Sequence, residues 1–221
     1  LRFETPVRRQ SEHFGAYRTA LGGLGARGLV YPCFCTRKGI AEAVAIGEAE
    51  IGIAAPRDPD GAPLYPGICR SLPAAEAARR IAAGEPHAWR LAMDAALNVA
   101  PGPFAYGRFD PAGSVATVAA DPARWGDVVL ARKDIPTSYH LAVVHDDALQ
   151  EVTHVVRGRD LEAATDLHVL LQRLLGLPTP LYHHHGLIAD DEGRKLAKSL
   201  GSRSLADLRA LGVTPEAIRA D

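Results

Sequence analysis

Residues 152–188 limit the fold more than any other part of this sequence. Two short apolar runs, 152–156 and 181–188, flank a segment from 160 to 175. In that segment Leu161, Leu167, Leu170, Leu171 and Leu174 form one apolar stripe at helical spacing. Gly176 and Pro178 end that helix. A strand, a helix and a second strand in this order fit a right-handed parallel crossover, the building unit of a doubly wound sheet. The chain is therefore read as α/β, and its ligands are expected at the carboxyl ends of the strands.

With 221 residues the chain can form one large domain, or one domain carrying an inserted module. Lys and Arg number 25 against 26 Asp and Glu, so the overall charge does not announce a nucleic-acid binder, although a local basic face is compatible with it. Three cysteines, an odd number that includes the Cys33-Phe34-Cys35 pair, argue against a secreted disulfide framework and for a reducing compartment. A cytoplasmic location is the expectation. No run reaches the length of a membrane span, so no membrane partner is expected. The chain opens at Leu1 inside what reads as a loop, ETPVRRQ, and a segment is expected ahead of it.

Ser11 reads as the N-cap of a helix in which Phe14, Tyr17, Leu21 and Leu24 share a face, with Gly28 as its stop. A short strand is expected at 29–31. From 36 to 85 helical pieces are broken by APRDPDGAPLYPG, the pattern of an inserted module. Further strands are expected in AWRLAM, in DVVLAR and at 141–144, and a last helix from about Ser204.

Five groups of residues are candidates for chemistry. Cys33, Cys35 and Cys69 are soft donors suited to tetrahedral zinc, which can organise a module too small for its own core. Three unrelated small core residues are the alternative, and Tyr65, Asp58, Asp60 and His87 all remain open as a fourth ligand. Tyr139 and Arg157 are expected at carboxyl ends of strands, where the planar fork of Arg157 beside Gly158 suits a carboxylate or phosphate. Taken singly, Tyr139 could cap a core and Arg157 make a surface ion pair. Asp146 and Asp147 could contact a metal or a ribose, or close a turn. Side chains alternate along a strand, so His183, His184 and His185 cannot all face one ion. In ADDEGRKLAKSL, Lys195 and Lys198 stand three apart with Ser199 following; this is either a solvated loop or a mobile clamp that neutralises phosphate charge.

Together Cys33-x-Cys35, Tyr65-x-x-x-Cys69, PTSYHLAVVHDD, THVVRGRD, YHHHGLI and GRKLAKS resemble the class I glutamyl-tRNA synthetases, and more closely their short paralogues that act on queuosine. The likeness runs through nearly the whole chain in order. Lys195-Leu196-Ala197-Lys198-Ser199 is similar to the family's KMSKS loop, with Leu for Met and Ala for Ser. The resemblance implies a Rossmann-like doubly wound parallel sheet with an inserted zinc-containing module. Residues 1–32 would end the first half of the nucleotide-binding fold, 33–120 would form the module, and 121–221 would supply the second half with the lysine loop. It further implies zinc ligation by Cys33, Cys35, Tyr65 and Cys69, glutamate binding by Tyr139 and Arg157, catalytic roles for Lys195 and Lys198, and ATP contacts from Lys198 and Ser199.

The implied reaction makes glutamyl-adenylate from L-glutamate and ATP, with magnesium, and passes the glutamyl group to queuosine in the anticodon of tRNA(Asp). A monomer is expected. The chain ends about twenty residues beyond the lysine loop, which favours the short paralogue over a tRNA-charging enzyme. The family's His-x-Gly-His element does not occur in the sequence and is expected upstream of Leu1. The alternatives are a zinc-containing tRNA-binding relative without turnover, and a catalytic fragment of a glutamyl-tRNA synthetase.

Overall fold

The computed structural model describes residues 7–187, 189, 196 and 203–220. A short 3-10 turn, Gln10–Glu12, precedes α1, Phe14–Ala26, whose Tyr17, Leu21 and Leu24 are buried as the sequence pattern requires. Ser11 lies inside the 3-10 turn and does not cap α1; His13 occupies the N-cap position without a side-chain hydrogen bond. Strand β1 (Val30–Cys33) leads to α2 (Arg37–Ile51), which begins where Thr36 Oγ1 accepts the Gly39 amide at 3.0 Å. Helix α3 (Ala74–Ala82), β2 (Ala88–Leu91) and α4 (Met93–Val99) follow. Next come β3 (Phe104–Phe109), β4 (Val115–Ala120) and β5 (Val129–Ala131).

The residues expected as a strand at 141–144 instead lie in helix α5, Tyr139–Leu149. Ser138 caps it by accepting the Leu141 amide, and Leu141, Ala142 and Val144 are buried. A four-residue apolar run fits either state, and here the cap and the packing of α5 on α6 decide for helix.

The crossover that limits the fold is present. Strand β6 (His154–Gly158), a 3-10 turn at Arg159–Leu161, helix α6 (Ala164–Leu175) and β7 (Leu181–His185) succeed one another. β6 and β7 pair in parallel, with Arg157 opposite His184. Gly176 ends α6 in the left-handed region at φ 67°, where a residue with a Cβ would be strained. Leu167, Leu170 and Leu171 are fully buried, and their face holds α6 against α1, α5 and the sheet. Helix α7 (Leu205–Ala210), capped by Ser204 with Asp207 in a reciprocal box, and α8 (Pro215–Ala220) complete the described chain.

Neither sheet is uniformly parallel. One has the order β4-β3-β7-β6, with parallel pairing from β3 through β7 to β6 and an antiparallel β4 at its edge. The other, β1-β2-β5, is antiparallel. The five residues between β3 and β4 are too few for a crossover, so that pair must be a hairpin. Gly107 lets β3 approach β7, since a Cβ there would collide with the Leu181 side chain. Among the described residues, no helix is long and apolar enough to cross a membrane.

Candidate functional site

Two polar centres stand out. In the first, Arg157 sits one residue before the carboxyl end of β6 and half-buried on the helix-covered face of the sheet. Its Nε donates to His184 Nε2 at 3.2 Å and its Nη2 to Thr165 Oγ1 at 2.7 Å. Its Nη1 lies 3.1 Å from His168 Nδ1 and 3.5 Å from the Tyr139 hydroxyl. The ring of Tyr182 lies 5.2 Å beneath the guanidinium carbon. Every one of these partners is neutral. Among the described residues no carboxylate forms an ion pair with Arg157.

An arginine has five N–H donors, and among the described residues these contacts leave one Nη2 hydrogen with no acceptor and one Nη1 hydrogen with only the long Tyr139 contact. The arrangement is a cation with an outward-facing edge, half-buried beside a phenol. It can receive an anion from the side of Tyr139, whose ring is about half exposed. The surrounding imidazoles stay uncharged. Burial, reinforced by the Arg157 charge, lowers the pKa of His140 and of His184 to about 4 and that of His168 well below its usual value.

Tyr139 and Arg157 thus meet, but Tyr139 stands on the first turn of α5 and not at the end of a strand. Gly158 serves a different approach from the one expected. A Cβ there would collide with the Asp160 carboxylate and come within 3.1 Å of Leu187, so its smallness admits its own neighbours. Of the three consecutive histidines only His184 joins Arg157. His183 Nδ1 lies 2.9 Å from the Phe109 carbonyl, and His185 is exposed. Asp146 neither closes a turn nor faces this centre. Buried in α5, it accepts hydrogen bonds from Tyr17 Oη at 2.6 Å, Arg8 Nε at 3.0 Å and Gln10 Nε2 at 3.3 Å, and so ties down the N-terminal stretch. Thr165, His168 and His140 were not singled out by sequence; a histidine within the leucine stripe of α6 was the available signal.

The second centre is the cysteine module. Cys33 ends β1, Cys35 follows it, and Cys69 arrives from the loop after the 57–63 turn; their three sulfurs lie within 4.8 Å of one another. The Tyr65 hydroxyl is 3.4 Å from the sulfurs of both Cys33 and Cys35, and accepts the Cys69 amide at 2.8 Å. Cys35 and Cys69 sulfurs are 3.5 Å apart. Around a tetrahedral zinc with bonds of about 2.3 Å, thiolates would sit roughly 3.8 Å from one another, so the donor set fits such an ion closely. Two of the other fourth-ligand candidates are engaged elsewhere. The Asp58 carboxylate accepts the Asp60 and Ala62 amides, and His87 Nδ1 contacts the Glu85 carbonyl while its ring packs between Phe34 and Trp89.

Without a cation Cys35 and Tyr65 resist ionisation. Burial pushes the Cys35 thiol up to about 11 and raises the Tyr65 phenol, whose hydrogen bonds with the cysteines add to the effect. Cys69 is also buried, but hydrogen bonds from Tyr65 and from the backbone bring it below its usual value. Lys195, Lys198 and Ser199 lie outside the described residues.

A family model described as tRNA synthetases class I (E and Q), catalytic domain, matches residues 1–220. A glutamyl-Q tRNA(Asp) synthetase of Rhodobacter capsulatus is 44% identical over 223 residues, which cover 98% of this chain and 75% of that protein. One from Symbiobacterium thermophilum is 39% identical over 213 residues, covering 95% of this chain and 59% of its own length. Among solved structures, a glutamate tRNA ligase from Elizabethkingia meningosepticum in complex with its amino acid superposes with a TM-score of 0.64 at 26% identity, covering 96% of this chain and 38% of that one. The chain thus spans between about two fifths and three quarters of the proteins it matches, and it belongs to the class I tRNA synthetase family, E and Q branch, as part of the catalytic domain.

Proposed function

We propose that the protein activates L-glutamate with ATP and transfers the glutamyl group to queuosine in the anticodon of tRNA(Asp). The observation that carries this reading is the Arg157 guanidinium, held by neutral acceptors alone, with its outward edge beside the Tyr139 hydroxyl. A full positive charge with two outward N–H groups suits one carboxylate of glutamate. The names of the relatives support the acceptor.

In the first step a glutamate α-carboxylate oxygen attacks the α-phosphorus of ATP. The bond to the bridging oxygen breaks, and pyrophosphate leaves as its magnesium complex. In the second, a queuosine hydroxyl oxygen attacks the acyl carbon, its proton is lost, and AMP departs. Tyr139 and Arg157 would bind and orient glutamate, so that the attack starts from a fixed geometry. Lys195 and Lys198 would stabilise charge on the α-phosphate and the departing pyrophosphate, with Ser199 beside Lys198 contacting ATP.

Zinc held by Cys33, Cys35, Tyr65 and Cys69 would be structural, because four protein donors leave no open position for water or substrate. These chain residues would fold the module and hold it against the β1-β2-β5 sheet. ATP, glutamate and tRNA place the reaction in the cytoplasm.

The test is pyrophosphate exchange into ATP by the full-length, zinc-loaded protein. Exchange that depends on glutamate, followed by labelling of queuosine-containing tRNA(Asp) but not of the same tRNA lacking queuosine, is expected. Salt-sensitive tRNA binding without any exchange would replace this reading with the non-catalytic one.

A further inference from the structure

Arg157 cannot accept a hydrogen bond, and that single fact fixes protons on the rings around it. The Nδ1 of His168 receives the Arg157 Nη1 hydrogen and must be bare, so the His168 proton is on Nε2. That Nε2 lies 3.2 Å from His140 Nδ1, which therefore accepts, leaving the His140 proton on its own Nε2. On the other side His184 Nε2 receives both the Arg157 Nε hydrogen and, at 3.2 Å, the Thr165 hydroxyl. The His184 proton is accordingly on Nδ1, a buried atom without a partner among the described residues.

We infer that Thr165, His168 and His184 are positioning residues that lock the Arg157 guanidinium through one permitted set of tautomers, so that only its outward edge is offered to a planar carboxylate. The inference rests on the glutamate reading of this site. Thr165 and His184 receive the parallel Nε and Nη2 hydrogens, and their acceptor atoms are 3.2 Å apart, so this edge of the fork is filled by protein. A carboxylate must then approach end-on, from the Tyr139 side. A carboxylate side chain in place of any of the three would neutralise the guanidinium and compete with the substrate. Neutral acceptors hold its plane and leave its charge for the ligand. Thr165 is fully buried, and His168 and His184 are 1% and 7% exposed, so water does not compete for these contacts.

Two measurements on the full-length protein test this. The first is nitrogen-15 NMR of histidine-labelled protein at neutral pH. Protons on Nε2 of His168 and on Nδ1 of His184 are expected, and the opposite tautomer at either ring overturns the inference whether or not the protein turns over glutamate. The second is exchange kinetics of Thr165→Val and His168→Leu, each checked for an unchanged melting temperature. Tenfold or greater increases in KM for glutamate are expected, with KM for ATP and kcat within about threefold of the parent. His168→Gln, whose carbonyl can again accept from Arg157, is expected to recover most of the loss. Equal defects in Leu and Gln variants, or KM values for ATP and glutamate that rise together, overturn the positioning role. Absence of any glutamate-dependent exchange in the unaltered protein sinks the proposed function instead, and the tautomers still decide the inference.

Discussion

Arg70 sets its Nε 2.7 Å from Oδ2 of Asp127, whose side chain is completely buried. Asp127 also accepts the Tyr31 hydroxyl and the Met93 amide, and Arg70 directly follows Cys69. The ion pair therefore fastens the cysteine module to the β1-β2-β5 sheet. Arg70→Ala would leave a buried carboxylate without its cation, but the Arg70 side chain is 41% exposed and Asp127 keeps its Tyr31 and Met93 donors, so a loss of about 1–3 kcal/mol in unfolding free energy is expected. Urea denaturation with zinc in constant excess measures it; a loss below about 1 kcal/mol would show that the pair does not fasten the module.

Zinc content tests the second centre. The protein purified under reducing conditions is expected to carry about one zinc per chain, given three thiols and a phenol converging on one point. Cys69→Ala should lose the ion. Tyr65→Phe should keep three thiolates but bind zinc at least about tenfold more weakly, because water would have to replace the phenolic oxygen. Elemental analysis and competition with a chromophoric chelator read both; unchanged affinity in Tyr65→Phe would remove Tyr65 from the ligand set.

The neutral histidines give stability a defined pH dependence. His140 and His184 titrate at about 4 in the folded protein, through burial first and the Arg157 charge second, against an ordinary value of about 6.5. Their stabilising effect is complete above pH 6.5. As pH falls through that value the unfolded chain takes up protons that the folded one refuses, so stability declines until about pH 4, where the decline ends. Between pH 7 and pH 5 each site should cost roughly 2 kcal/mol by this linkage. Urea midpoints across that range should fall for the parent and fall less for His184→Asn; parallel slopes would contradict a neutral His184.

Replacing the guanidinium while keeping its charge tests its fork. Arg157→Lys retains one cation but cannot serve Thr165, His168 and His184 and present two outward N–H groups together. Glutamate KM in the exchange assay is expected to rise on the order of 100-fold, the loss of a charge-assisted bidentate pair. A Lys variant within threefold of the parent would mean that charge alone is recognised.

The β6-α6-β7 unit was legible because its signals are local: leucines at helical spacing, a glycine stop, apolar runs on either side. The run at 141–144 misled because four apolar residues carry no period, and the deciding contacts were the Ser138 cap and packing against α6. The hairpin that makes the first sheet mixed was likewise hidden, since strand pairing depends on partners far away in sequence.

For the sites, sequence by itself determined which chemistry was present: three thiols, an arginine at the end of an apolar run, two lysines three residues apart. Tertiary structure decided which atoms meet. Tyr65 stands 30 residues from Cys35, and Arg157 stands 27 from His184, 11 from His168 and 8 from Thr165. In none of these pairs do both residues lie on one helix or one strand. The parallel register that sets Arg157 opposite His184, and the helix that the crossover lays over both, create the neutral cage around the guanidinium. Such contacts arise from the packing of whole elements, which no local pattern records.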